Sequence, residues 1–143
     1  MKKTSVIQRT AWSLLWLCSL VWIAACSSTG PYAPKTRVGN IPAQQSQRIL
    51  FLDKNLRDGL LLVNSVQKRL SLGEILVQAN FQSRFPNNDI WVEVKFEFLD
   101  ANSILIDETE WMKTHFPAME VTTVQGSSIT PNAVKHVILL RNP

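Results

Sequence analysis

The sequence predicts an all-β domain, an antiparallel immunoglobulin-like sandwich of about seven to eight strands, set behind an export signal and a tether. Three observations lead there. From residue 48 onward apolar and polar residues alternate, the period of strands half buried in a sheet. Turn-forming residues recur every eight to fifteen positions, as in short strands stacked in two sheets. No segment of that region sustains a strong helical period. The chain divides into residues 1–25, 26–47 and 48–143, long enough for one core and not for two.

Residues 1–10 are basic and residues 11–25 form a run of fifteen weakly polar to apolar residues, the charged and apolar regions of a secretory signal. A membrane span needs about 20 apolar residues, so the run is short for a permanent anchor. It ends in Ile23-Ala24-Ala25-Cys26, which resembles a bacterial lipobox: a branched aliphatic, two small residues, then cysteine. A thiolate can attack a lipid donor and form a stable thioether, and small residues let a protease approach the backbone. Cys26 is therefore the expected lipidation site, and membrane lipid the expected partner through its acyl chains. One chain binds a bilayer marginally and two hold stably, at ~0.8 kcal/mol per buried methylene. Two other readings compete: cleavage before Ser28, releasing a soluble protein, or an uncleaved anchor. Ser27, where inner-membrane lipoproteins commonly carry aspartate, points to the outer membrane, with the domain facing the periplasm.

Removing residues 1–25 takes away Lys2, Lys3 and Arg9 and no acidic residue, so the formal charge of +4 falls to near +1. The basicity belongs to the export segment, which removes the case for nucleic-acid binding. Cys18 leaves as well, and with a single cysteine the domain has no structural disulfide. What remains is too apolar to be disordered.

Residues 27–47 (SSTGPYAPKTRVGNIPAQQSQ) carry three prolines and two glycines among small and polar residues, a linker composition. As a flexible coil, 21 residues span roughly 25 Å. The competing reading packs part of this segment along the sheet, with Val38 and Ile41 as anchors.

The strands follow in order. Residues 48–52 and 61–68 are strands separated by a loop at 53–59; a helix over 55–67 is the rival, and Val63, Val66 and the Asn64-Ser65 pair favour strand. Residues 74–83 place Ile75, Val77, Ala79 and Phe81 inward, and residues 90–98 do the same with Ile90, Val92, Val94, Phe96 and Phe98. Between them Arg84-Phe85-Pro86-Asn87-Asn88 reads as a turn, so the two strands are expected to form a hairpin. A turn at 100–103 leads into a strand at 104–107, and strands at 110–116, 121–126 and 134–141 complete the domain, with Pro117 and Pro131 outside them.

The domain resembles the YcfL family of Gram-negative envelope lipoproteins, an uncharacterised group with an immunoglobulin-like sandwich. The resemblance covers nearly all of residues 48–142. It rests on Val94-Lys95-Phe96-Glu97-Phe98-Leu99-Asp100-Ala101, like the family's aromatic strand ending in an aspartate turn, and on Thr130-Pro131-Asn132-Ala133 before the closing strand Val137-Ile138-Leu139-Leu140-Arg141. It departs at Phe98-Leu99, where the family often has Trp-Tyr, and at Ser103, where it often has glycine. The resemblance implies no catalytic or ligand-binding residue.

The chemistry-bearing residues are sparse. His115 and His136 stand 21 positions apart with no cysteine partner, short of the three or four ligands a zinc site needs. Asp107-Glu108-Thr109-Glu110 is acidic but lacks a glycine-containing loop of alternating oxygen ligands, so it reads as a solvated strand end. No Gly-x-Ser-x-Gly elbow or phosphate-cradling glycine loop occurs. No metal, cofactor or small-molecule substrate is expected, and the domain is not expected to be an enzyme. Two tryptophans mark the candidate interaction surface. Trp91 falls on the polar register of its strand with Glu93, Lys95 and Glu97, where a tether, a loop or a partner must cover it. Trp111 alternates with Lys113 and His115 against Met112, Thr114 and Phe116, and either set can face in. Exposure of Trp91 beside an unpaired strand edge would point to strand addition by an envelope protein. The expected role is a lipid-anchored binding or structural module. An accessory lipoprotein of a secretion or surface-assembly machine is the alternative. A cell-wall hydrolase would require a deep pocket with at least two carboxylates.

Overall fold

The computed structural model describes residues 30–36 and 48–143; the export segment, Cys26, Val38 and Ile41 lie outside them. The described chain forms a two-sheet, all-β sandwich. One sheet has the order β1(Lys35–Thr36), β3(Leu60–Arg69), β4(Ile75–Ser83), β8(Val121–Ser127). The other runs β2(Ile49–Phe51), β9(Lys135–Arg141), β5(Ile90–Leu99), β6(Leu105–Glu108), with β7(Met112–Phe116) also paired to β5. Pairing is antiparallel except where β1 joins β3 and β2 joins β9.

The alternation is realised as expected. Ile75, Val77, Ala79 and Phe81 of β4 face Val92, Val94, Phe96 and Phe98 of β5 across the apolar core, all fully buried. Phe81 reaches between Phe51 and Phe116 of the opposite sheet, with ring centroids 6.1 and 6.4 Å apart in edge-on geometry. Each such side chain contributes about 1.5–3 kcal/mol by leaving water.

Two local expectations are corrected. The strands at 74–83 and 90–98 do not form a hairpin: β4 pairs with β3 and β8, and β5 with β9, β6 and β7. An apolar stripe on each strand is satisfied equally by lying side by side or by facing across the core, so alternation alone does not choose. The connection settles it by crossing between the sheets. Arg84 N–H donates to Gly59 C=O (2.8 Å), and the Asp89 carboxylate accepts from Ala118 N–H (2.9 Å). The second correction is at residues 53–59, expected as a loop: Lys54–Gly59 is a helix, α1. Asp53 caps it, its carboxylate accepting from Asn55 N–H (2.7 Å) and Leu56 N–H (3.1 Å). A helix this short is marginal alone; buried Leu56 ties it to the core. The following residues, Leu60–Arg69, are strand, as Val63 and Val66 imply.

The linker composition of residues 27–47 describes only part of what that segment does. Tyr32 and Phe51 exchange backbone hydrogen bonds of 2.7 and 2.8 Å, extending the β2 edge, and β1 then pairs with Leu61 and Leu62 of β3. The Arg57 guanidinium stacks 5.0 Å from the Tyr32 ring centroid, and Lys35 pairs with Asp58 at 3.0 Å. Residues 30–36 thus pass from the edge of one sheet to the edge of the other.

Candidate functional site

Strand β5 is central, and its outward residues are Trp91, Glu93, Lys95 and Glu97. Across the β5–β7 ladder Trp91 stands opposite His115, and Glu93 opposite Lys113; on the other side Glu93 stands opposite Arg141. Phe116 is fully buried, so the set Trp111, Lys113, His115 faces outward. The two tryptophans singled out in the sequence therefore share one face of the five-stranded sheet.

A bulge aims the second of them. Between the pairs Glu97–Glu108 and Val94–Met112, Lys95 and Phe96 oppose three residues, Thr109, Glu110 and Trp111. One extra residue in an edge strand bends it and redirects a side chain. Thr109 repairs the ladder: its N–H donates to Phe96 C=O (2.9 Å) and its hydroxyl accepts from Phe96 N–H (3.0 Å). Trp111 then lies under the Arg141 guanidinium, 4.0 Å from its ring centroid.

The face is a chain of charge and aromatic contacts. Arg141 donates from Nε to Glu93 at 2.7 Å while stacking on Trp111. Lys113 Nζ sits 5.3 Å from the Trp91 ring centroid, and the His115 ring lies at 4.8 Å, tilted by 41°. His115 Nε2 is 3.2 Å from Asp89. A cation over an indole is attracted by the ring quadrupole, by about 0.5–1 kcal/mol where exposed. Even so, Trp91 remains 51% exposed. Neither residues 30–36 nor a described loop covers it: residues 30–36 lie at the β2 and β3 edges. Trp91 is one strand in from β7, which has no strand beyond it among the described residues.

The sequence set Lys113 and His115 in register with Trp111 but joined neither of them to Trp91, and it did not bring Arg141 to this face. Lys113, His115 and Arg141 come from strands β7 and β9, and only the ladder register brings them to Trp91 and Trp111. The outward alternation of each strand was the available signal.

The other candidates are taken up by structure. Asp107 accepts backbone N–H groups from Ile129 and Thr130, and Glu108 pairs with Lys95 at 2.7 Å. The two histidines are far apart. They oppose Trp91 and Phe98 of β5, seven residues or about 24 Å apart. His136 is buried, with Nδ1 2.7 Å from Gln67 Oε1 on the facing sheet. Burial, with the nearby Arg48 charge second, pushes its pKa down to about 4. Among the described residues no three His, Cys, Asp or Glu side chains converge as a metal site. An open cleft beside α1 is lined by Asn55, Asp58, Gly59, Arg84 and Phe85. Its one carboxylate, Asp58, is held ionised below the usual range by hydrogen bonds from Lys35 and Arg57.

No family model matches the chain, and no curated protein is detectably similar in sequence. Two solved structures share the fold. Campylobacter jejuni cj0090 superposes with a TM-score of 0.57 at 14% identity, over 67% of this chain and 98% of that one. A DUF1425 family member from Shewanella sp. pv-4 superposes with a TM-score of 0.52 at 16% identity, over 59% of this chain and 76% of that one. The chain is similar in fold to both.

Proposed function

We propose that this chain is an outer-membrane lipoprotein, acylated at Cys26, whose sandwich faces the periplasm and acts as a non-enzymatic binding module for another envelope protein. The YcfL-like residues at 94–101 and 130–141 support the envelope reading, and the fold shared with a DUF1425 family member is compatible with it. The anchor rests on Ile23-Ala24-Ala25-Cys26 behind a basic, then apolar, leader. One observation carries the binding role: Trp91 stays half exposed, one strand in from β7, whose outer edge is unpaired among the described residues, on a face where Lys113 and Arg141 stack on the indoles. An added strand would satisfy the outer backbone groups of β7 while its side chains cover the indoles.

Two measurements test the reading. Radiolabelled palmitate should enter the wild-type protein and not Cys26→Ala. A photo-crosslinking residue placed at Lys113 or Trp91 should trap an envelope protein in living cells, and the same residue at Val66, exposed on the other sheet, should not. Label undiminished in Cys26→Ala ends the anchor; equal capture at all three positions ends the surface.

A further inference from the structure

The docking of residues 30–36 leaves a very short leash. Gly30 is already against the sandwich: a methyl group there would lie 3.3 Å from the Tyr32 ring and 3.6 Å from Leu52 C=O. Only four Cα steps separate Gly30 from Cys26, which at full extension reach about 14 Å. The ten residues of β3 alone rise about 30 Å. A leash shorter than half the height of the domain cannot let it turn over.

The ends of the sandwich can be named from the strand directions. At one end lie Leu52, α1, the 84–89 crossing, the turn at 117–120 and the C-terminus of β9; Gly30 and Tyr32 dock there. At the other lie the turns at 70–74 and 100–104 and the loop at 128–134.

We infer that the bilayer anchoring Cys26 is the surface faced by the α1 end, and that the opposite end, with its exposed Leu72, Ile104 and Ile129, looks away from the lipid. This rests on the acylation proposed above. The argument for lipid as the occupant is the length of chain between Cys26 and the docked segment. Its consequence is that the Trp91–Trp111 face stands upright on the membrane, Trp91 lower, so its protein partner must also approach close to the bilayer.

The test uses the whole lipoprotein, purified and reconstituted in vesicles of phosphatidylethanolamine and phosphatidylglycerol. Acylation blocks Cys26, so Lys54→Cys on α1 and Leu72→Cys at the far turn each offer one thiol for a fluorophore. A nitroxide on the lipid headgroup should quench the label at 54 several-fold more than the label at 72. Inserting about twenty Gly and Ser residues between Ser28 and Thr29 lengthens the leash to the height of the domain and should erase that difference. Equal or stronger quenching at 72 with the native leash overturns the orientation, as in a domain lying on its side. A difference that survives the insertion overturns the leash as its cause. Mass spectrometry of the same sample separates the two proposals: an unmodified Cys26 overturns both, whereas an acylated protein with the wrong quenching order overturns only this one.

Discussion

The two ends of the sandwich are closed by different physics. At the α1 end the closing contacts are short-range or lie in the docked segment: a helix capped by the residue before it, a segment exchanging main-chain hydrogen bonds, and Phe85 laid over Gly59, with Asp89 receiving the Ala118 N–H. At the other end side chains reach across to loop backbone. Arg69 donates to Gly73, Pro131 and Ala133 carbonyls, Asp107 receives the N–H groups of Ile129 and Thr130, and Gln67 meets His136 across the sheets. The first end depends on shape and local propensity. The second depends on long-range polar partners, one of them the buried His136 imidazole, and it should yield first when those partners are changed.

Acid gives the largest separation. His136 keeps a pKa of about 4 in the fold against 6.5 for a free imidazole, because charging it would bury a cation near Arg48. Between those values the unfolded chain binds a proton that the folded chain refuses, so stability falls as pH drops from 6.5 to 4 and is complete above 6.5. The full loss approaches about 3 kcal/mol. Urea midpoints measured through this window should show wild type losing stability relative to His136→Leu as pH drops towards 4, since carboxylate titration is common to both. Parallel curves would mean that the histidine is not what makes this end acid-sensitive.

Arg69→Ala comes next. It strands three loop carbonyls, and hydrogen bonds from a charged donor contribute about 1.5–3 kcal/mol where buried and less where water competes. With Arg69 exposed, a loss of about 2 kcal/mol is expected in thermal unfolding, together with faster amide exchange confined to residues 128–134. Loss of protection at α1 instead would erase the distinction between the ends.

This contrast also explains what the sequence made legible. Period-two alternation identified β4 and β5 with their inward faces, and β9 as a strand, because burying one face of a strand leaves its mark within a few residues. Pairing was not legible at β4 and β5, whose apolar stripes fit a hairpin and a facing pair equally well. The short helix was hidden by its length, though Asp53 ahead of Asn55 and Leu56 was a cap signal. Trp91 could be placed on the outer face from its own strand. Trp111 could not, since its aim depends on a bulge opposite Lys95 and Phe96, a property of two strands together. Arg69, Asp107 and the Gln67–His136 contact link residues 22 to 69 positions apart, beyond the reach of any local pattern.

At the α1 end the sharpest probe is Gly59→Ala. Its new methyl group would lie 2.0 Å from the Phe85 ring, which must move. Phe85 is partly exposed and lines an open cleft, so it can swing away, and the cost should stay near the low end of the roughly 1–3 kcal/mol range for overpacking. In the Phe85→Ala background the same change should cost much less, and that coupling measures how far ring and glycine close this end.

The smallest effect should be a gain. Ser103 adopts φ 66° in the turn after β5. The turn is tight all the same: Asp100 receives the N–H groups of Asn102 (2.8 Å) and Ile104 (2.9 Å) on one carboxylate oxygen. Left-handed backbone costs a residue with a side chain about 1–2 kcal/mol. Glycine removes that strain but gives back about 0.5–1 kcal/mol of unfolded-chain entropy. Ser103→Gly also loses the hydroxyl that accepts from Lys135 Nζ at 2.7 Å, an exposed contact of small value. The balance is a stabilisation of about 0.5 kcal/mol, visible as a small rise in urea midpoint at constant slope. A fall in midpoint would show that Lys135 holds this turn through Ser103, adding one more long-range clamp to the end that already relies on them.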